Sequence, residues 1–488
     1  MPSPTRLSYA YRQLQKPGSA WRRLRVRRLL TAICATVLIA VPLALYAHPQ
    51  TRHLPIGYLQ KWTGNALLGG PPTWRELDAW EDALPQHNVS LPVPEGRDGR
   101  YVRFTNQIAS LGWNNVLNEV LMNAHLAYES DRAYVFQDYV WKTSYYPWPY
   151  AQAREWPPHT PLNALITGPT AGAPWPAGDP APRAVSDHYW DTVCPPARRR
   201  RIHTQDVKEP IRWEDGTVIF ETWKRLLRDA PESCIEIVPA PLEVDAVPQT
   251  FDLWLWGSDR ILSLWERFSK SPTSQLLCTS PAVESGVARN EHLFHVDGVQ
   301  ADPYPRMLAI HIRRGDFMQA CLDLATWNST FYSWNLLPFL PDSFIPPDPQ
   351  GAKWGWNTEE NKAYYLQRCL PTFDSIVEKV QGARKDYVAA GRVVGDARTL
   401  DVMYILTNDR SSFVDELKRA LRAVGWKKIV TTADLEYNRE QMDVNMAIDM
   451  DIARRAAVFV GNGWSSFTSN IVHRRLVDGK EPISIRFY

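Results

Sequence analysis

Two stretches of this 488-residue sequence combine cationic or hydroxyl side chains with the backbone setting an anion needs. Arg306 to Phe317, RMLAIHIRRGDF, begins as an apolar run of strand-formers, Met307, Leu308, Ala309 and Ile310. It ends in His311, Arg313, Arg314 and Asp316 around a turn-prone Gly315. The pattern predicts a buried parallel strand whose carboxyl end projects cations. In open α/β sheets ligands sit outside that end. Arginine suits an anionic ligand because its planar fork meets phosphate oxygens bidentately and keeps its charge at any physiological pH. A strand whose arginines only make surface ion pairs is the alternative. The second stretch is Ala457 to Asn470, AVFVGNGWSSFTSN. Ala457 to Val460 reads as a short apolar strand and Gly461-Asn462-Gly463 as a tight loop. Ser465-Ser466-Phe467-Thr468 then opens a helix running to about Leu476. A glycine loop feeding a hydroxyl-rich helix start leaves free N–H groups and a positive dipole end, a cradle for a diphosphate. A serine that only caps its helix is the plainer reading.

Taken together the two stretches resemble a known family. His311-Ile-Arg313-Arg314-Gly-Asp316 resembles the H-x-R-R-x-D peptide of the GDP-fucose-dependent fucosyltransferases, the group that includes protein O-fucosyltransferases and α1,2/α1,6-fucosyltransferases. Phe459 to Thr468, with its F-V-G-N-x-x-S-S-F-T pattern, resembles the C-terminal motif of protein O-fucosyltransferases, and the two lie in the family's order. The resemblance implies an α/β GT-B fold, two Rossmann-like domains facing across a cleft. It also implies inverting transfer of L-fucose from GDP-β-L-fucose to a hydroxyl of a protein Ser/Thr or a glycan. As the anomeric C–O bond breaks, the sugar gains oxocarbenium character and GDP gains negative charge. Arg313 is then the catalytic cation meeting that charge, with the Ser465 and Ser466 hydroxyls and nearby amides as fixed donors. His311, Arg314 and Phe467 complete the donor-binding set. Gly112-Trp-Asn-Asn115 is similar to the family's G-x-x-N element and gives Asn115 a place beside the sugar or its phosphate; a helix cap explains it as well. Where some relatives carry a glutamate base three residues before that asparagine, this sequence has Gly112. Glu119, one turn into the following helix, is the nearest carboxylate in sequence and the candidate base, although a first-turn glutamate also simply suits the helix dipole.

Asp449-Met-Asp451 superficially matches a D-x-D metal site. On a helix its carboxylates lie about 200° apart, poor geometry for joint chelation. By its spacing to Gly461, Asp449 instead resembles a guanine or ribose contact of the family. No essential metal and no cofactor beyond the GDP-fucose donor is therefore expected. Two readings compete: an N-glycan α1,6-fucosyltransferase, and a catalytically inactive pseudo-transferase that binds glycans in the lumen.

The elements that must position these residues alternate. Tyr101 to Phe104 predicts a strand, Val116 to Glu129 a helix and Arg132 to Phe136 a second strand. Thr217 to Phe220, Ser233 to Val238 and a helical-looking Thr250 to Lys270 complete a first α/β half at 101–300. In the second half, 301–488, the strand at 307–313 precedes a long excursion through Asp348. Then come a helix around Glu359 to Val380, a strand Val402 to Leu406 and a helix Phe413 to Val424. A strand Lys428 to Val430, a helix Arg439 to Arg455 and a strand Val458 to Val460 follow, the alternation of a doubly wound parallel sheet. Thr407-Asn408-Asp409 ends one of these strands and is a further candidate nucleotide contact or a simple turn. Tyr139 to Cys194 has ten prolines between 147 and 182, too many breakers for a regular core. It reads as an aromatic insertion, either an acceptor surface or a packed loop. Arg198 to Arg201 reads as a solvated or glycan-facing patch, or a processing site.

Residues 1–28 carry eight Lys/Arg and no Asp/Glu, so the net charge of +2 leaves −6 on the remainder and suggests no nucleic-acid partner. Leu29 to Ala47, LLTAICATVLIAVPLALYA, has no charge and as a helix rises about 28 Å, enough for a thin bilayer. The arginines before it place the N-terminus in the cytosol. The expectation is a single-pass type II membrane protein of the Golgi or endoplasmic reticulum, with a stem at 48–100 and a lumenal body. Tryptophans 62, 74 and 80 argue that part of the stem packs on that body. Sequons Asn88-Val-Ser90 and Asn328-Ser-Thr330 agree. So do five cysteines beyond the anchor, Cys194, Cys234, Cys278, Cys321 and Cys369, which allow two disulfides and one thiol without selecting the pairing.

Overall fold

The computed structural model describes residues 71–107, 111–140, 159–296, 302–315, 317–348, 355–391 and 400–488. The basic tail, the expected membrane anchor Leu29–Ala47, the stem as far as residue 70, most of the aromatic insertion's first part and Asp316 lie outside them. Among the described residues no helix is long and apolar enough to cross a membrane. Pro71–Tyr488 forms one compact unit.

The unit contains two five-stranded parallel sheets. In the first, strands β1 (Tyr101–Phe104), β2 (Ala133–Phe136), β3 (Val185–Ser186), β4 (Arg199–His203) and β5 (Cys234–Val238) lie in the order β3-β2-β1-β5-β4. In the second, β6 (Met307–Ile312), β7 (Val402–Thr407), β8 (Lys428–Thr431), β9 (Val458–Gly461) and β10 (Ile485–Phe487) lie in the order β8-β7-β6-β9-β10. All six residues of β6 are buried, as a parallel strand covered on both faces requires. Alternation divides them. Leu308, Ile310 and Ile312 pack with Ile376, Val380, Leu417 and Leu421 of helices α7 (Phe373–Ala389) and α8 (Ser412–Ala423). Met307 and Ala309 turn to the core shared with α9 (Asn445–Arg455) and α10 (Ser466–Val477).

Helix α2 (Trp113–Glu129) starts at Trp113, three residues earlier than its apolar pattern suggests, and is buried along nearly its whole length. It lies between the halves: Asn470 of α10 donates to the Asn114 carbonyl at 2.9 Å and to its Oδ1 at 3.2 Å. Elsewhere along the junction Ser274 meets His473 at 2.7 Å, Thr279 donates to Asp451 at 2.7 Å and Arg474 donates to the Leu277 carbonyl. A Cβ on Gly286 of α4 (Pro281–Asn290) would overlap Ile448 of α9. The fully buried Arg475 donates to the carbonyls of Ala453, Arg454 and Ala456 at the end of α9 and of Ala457 and Ser484 beyond, supplying the partners a helix C-terminus lacks.

Several expectations are corrected. Residues 71–100 are folded: helix α1 (Trp74–Asp82), closed by a Thr73/Glu76 capping box, buries Leu77 and Glu81, and Gln86 donates to the Gly172 and Ala184 carbonyls. Thr217–Phe220 belong to helix α3 (Gly216–Asp229), whose Ile219, Phe220, Trp223 and Leu227 form one buried stripe. Thr250–Lys270 breaks into short turns at Gly257 and Ser258. The expected long helix after residue 359 divides into α6 (Glu359–Cys369) and α7 around Leu370-Pro371, because proline cannot continue a helix. Arg439–Arg455 likewise divides at Asp443-Val444. The arginine run is edge strand β4, neutralised by Asp191, Glu232 and Glu236; charge on an edge discourages further strand pairing. Helix α5 (Phe317–Thr326) occupies the start of what reads as an irregular excursion. The disulfides are Cys194–Cys234 and Cys321–Cys369, leaving Cys278 as an exposed thiol.

Candidate functional site

From β6 the chain crosses to β7 and β8 on one side, while β9 and β10 lie on the other. The carboxyl ends of β6 and β9 therefore flank the point where strand order reverses, the usual ligand crevice of a doubly wound sheet. The register pairs Leu308 with Val458 and Ile310 with Val460, so His311 to Arg313 leave the sheet beside Gly461. His311 continues the face of Met307 and Ala309. Its Nδ1 lies 3.0 Å from the Thr468 hydroxyl, and its ring centroid is 4.7 Å from that of Phe467. Burial, helped by the charge of Arg313, lowers its pKa to about 3. The imidazole is thus neutral at any working pH, a hydrogen-bonding strut between the two sequence stretches.

The two arginines diverge. Arg314 is held on the α7/α8 side: its guanidinium lies 3.8 Å from the Phe413 ring centroid and 3.6 Å from Asp409, and it donates to the Pro371 carbonyl at 3.1 Å. Its backbone N–H and carbonyl are both bonded to the Asn408 side chain, which ties the loop after β6 to the Thr407-Asn408-Asp409 loop after β7. Arg313 is partly exposed, stands 5.5 Å from the Phe317 ring centroid, and its charge is felt by His311.

Across the crevice, Asn462 is buried and structural, donating to the Cys369 carbonyl and accepting from Trp464 N–H. A Cβ at Gly461 would come within 3 Å of Thr468, and one at Gly463 would enter the Phe331 ring, so both glycines are set by close approach. Ser465 occupies the N-cap of α10 but makes no side-chain capping bond there. Ser465 and Ser466 are partly exposed, and the first-turn N–H groups beside them face the need for an outside acceptor.

No protein-family model and no curated protein matches the chain. Among solved structures, it is similar to POFUT1 in complex with GDP, at 16% identity, TM-score 0.46, over 80% of this chain and 98% of that one. It is similar to POFUT1 in complex with GDP-fucose at 15% identity and TM-score 0.47, over the same shares. A third similar structure is NodZ α-1,6-fucosyltransferase soaked with GDP-fucose, at 12% identity and TM-score 0.34, over 78% and 92%.

The first half reaches the crevice through the start of α2. The Asn115 Oδ1 accepts from the Tyr332 hydroxyl at 3.4 Å, and Asn118 donates to that Tyr332 hydroxyl oxygen at 3.4 Å. The Tyr332 backbone N–H donates to the Gly463 carbonyl at 2.9 Å, which fixes Asn115 relative to the glycine loop. Glu119 is fully buried, and its charge bears on the Tyr134 and Tyr332 phenols. That enclosure counts against its expected role as a base, since the carboxylate lies inside the core.

Asp449 and Asp451 face opposite sides of α9. Asp451 accepts from Thr279, Arg454 and Arg455. Asp449 is buried beside β7 and β8, accepting from the Tyr404 hydroxyl and, at 3.0 Å, from Thr432. Burial raises its pKa to about 7, against those two donors. Among the described residues no group of acidic, histidine or cysteine side chains is arranged to hold a metal. Tyr332 has a site contact that no local sequence signal marks, visible only through a partner 217 residues away, whereas Asn408, singled out at its strand end, ties that loop to Arg314.

Proposed function

We propose that the chain is a GDP-fucose-dependent fucosyltransferase of GT-B type, transferring fucose with inversion to a hydroxyl of a protein or glycan. The observation that carries the reading is the His311–Thr468 hydrogen bond at the switch point between β6 and β9. It brings the arginine peptide and the serine-opened helix, the two motifs that resemble this family, to one crevice. The diphosphate lies between Arg313 and the first turn of α10. Arg313, Ser465, Ser466 and the adjacent amides meet the charge that develops on the β-phosphate as the anomeric bond breaks. Such preorganised donors typically contribute a few kcal/mol each. Arg314 braces the loop from the far side, Asn115 approaches the sugar, and Asp449 serves the nucleoside end. No metal is required, because side chains and helix dipole supply the positive charge. The body is lumenal, anchored through Leu29–Ala47 in a secretory membrane.

The enclosure of Glu119 favours one second reading, nucleotide binding without turnover. A single assay decides: full-length protein in detergent is given GDP-fucose, and GDP binding and GDP release are both measured, with and without EDTA. Binding with release that persists in EDTA is expected. Binding without release establishes the second reading, no binding removes both, and release restored only by manganese removes the metal-free mechanism.

A further inference from the structure

The first half has its own small cavity outside the carboxyl ends of β1 and β2. Gln107, Trp113, Val116, Gln137, Asp138 and Tyr139 line it. Trp113 is the first residue of α2, and the next residue, Asn114, receives the two bonds from Asn470 of α10. The cavity thus opens beside the same helix end that meets the donor crevice. Its walls are fixed. Tyr139 donates from its hydroxyl to the Leu111 carbonyl at 2.8 Å and packs edge-on to Trp113 at 5.3 Å. Tyr134 donates to Gln107 at 2.7 Å. A short antiparallel ribbon, Tyr139–Val140 with His159–Thr160, places His159 Nε2 3.6 Å from Asp138 Oδ2.

Two observations point to a ligand there. Trp113, which lines the cavity, is 2% exposed and its indole N–H has no hydrogen-bond partner among the described residues. Asp138 is a carboxylate in a largely enclosed wall whose burial raises its pKa, moderated by His159 and His188 and reinforced by Asp78 and Asp187. Behind it, Glu81 of α1 is raised to about 8, first by burial and then by Asp138 and its neighbours. Glu81 therefore holds its proton at neutral pH and adds no negative charge behind Asp138.

We propose that Asp138 is the catalytic base, with His159 as its positioning residue, and that the cavity receives the acceptor hydroxyl. This rests on the fucosyl-transfer reading of the crevice. In the step, the acceptor oxygen forms a bond to the anomeric carbon while the bond from that carbon to the phosphate oxygen breaks. GDP leaves with the electron pair of the broken bond, and the hydroxyl proton passes to Asp138. The role supplies the carboxylate that the sequence lacks at Gly112, from the neighbouring strand end.

Water serves as the test acceptor, since its proton must be taken in the same way. In full-length protein, GDP release from GDP-fucose in water is expected to fall at least about 100-fold in Asp138→Asn. Affinity for GDP is expected to stay within twofold. Azide, a nucleophile with no proton to lose, is expected to restore turnover to Asp138→Asn and yield fucosyl azide, which a merely misfolded variant cannot do. His159→Gln is expected to lower release by a smaller factor without azide dependence of GDP affinity. Release within threefold of wild type in Asp138→Asn overturns the proposal, as does a loss that azide does not reverse, or a wild type that binds GDP and releases none from GDP-fucose. A wild type that does not bind GDP instead overturns the donor-site reading beneath it.

Discussion

Gly461→Ala tests the junction on which the proposed donor site depends. A Cβ at this position would meet Thr468 Oγ1 at 2.8 Å, with Cγ2 nearer still, and Phe459 Cε1 at 3.0 Å. Both Thr468 and Phe459 are fully buried, so neither side chain swings into solvent. Overpacking of this kind costs about 1–3 kcal/mol. Displacing Thr468 also breaks its bond to the buried His311, leaving an unsatisfied ring nitrogen at about 1–3 kcal/mol. A loss of roughly 3 kcal/mol is therefore expected. At ~2.1 cal/mol/K per residue, a unit spanning residues 71–488 shifts by about 1 °C per kcal/mol, so thermal unfolding should move down by about 3 °C. GDP affinity, read by calorimetry on the same sample, should fall at least about tenfold because the first turn of α10 moves. Thr468→Ser removes the nearer methyl and keeps the hydroxyl. In the double variant it should recover about 1 kcal/mol or more of the loss, a coupling expected of residues in contact. An alanine variant that melts and binds GDP like wild type would refute the reasoning, as would strict additivity in the double variant.

Arg313→Ala is expected to lower the rate of GDP release about 100- to 1,000-fold with little change in melting. Arg314→Ala, which loses the Phe413 stack and the Pro371 bond, should lower the melting temperature and reduce turnover less; equal effects on both properties would show that the arginines do not divide the work. Asp449 has a folded pKa raised from 3.8 to about 7. Below 3.8 both folded and unfolded chains hold this proton, whereas between about 4 and 7 only the folded chain does, so its contribution to stability is lost as pH rises through that window. The stability of Asp449→Asn relative to wild type should therefore improve from pH 4 to pH 7.5, measured by urea unfolding; a constant difference counts against the buried, proton-holding carboxylate.

The second sheet was readable in sequence because each of its central strands is an uninterrupted apolar run ending in Gly, Asn or Arg, with helices of matching length between. Met307–Ile312, Val402–Thr407 and Val458–Gly461 all appear where the pattern predicts. The elements that were not readable depend on partners distant in the chain. Arg199 to Arg201 form an edge strand paired with β5, with Asp191, Glu232 and Glu236 against their charges. Thr217–Phe220 is rich in β-branched and aromatic residues yet folds as helix, since Trp223 and Leu227 extend its apolar stripe at helical spacing. Val185–Ser186 is too short to carry a period. At the candidate site, the strand end that carries His311 and the helix start at Ser465-Ser466 were legible from local residue types. The side of the sheet on which Arg314 is held was not, because its partners Pro371, Asp409 and Phe413 are distant in the chain. Glu119 illustrates the converse: its position in a helix was correct, and only three-dimensional packing shows that the helix is enclosed on every side.

The junction along α4, α9 and α10 bears on how a ligand would reach the crevice. Gly286 lets Ile448 seat directly on its backbone, Arg474 reaches across to a carbonyl, and the Glu284–Arg455 and Asp451–Thr279 pairs close the seam. Opening it like a clamshell would strand charges and cavities along its whole length. The two sheets accordingly hold together as a single stiff frame, and any rearrangement that admits a ligand falls to the loops at the mouth of the crevice.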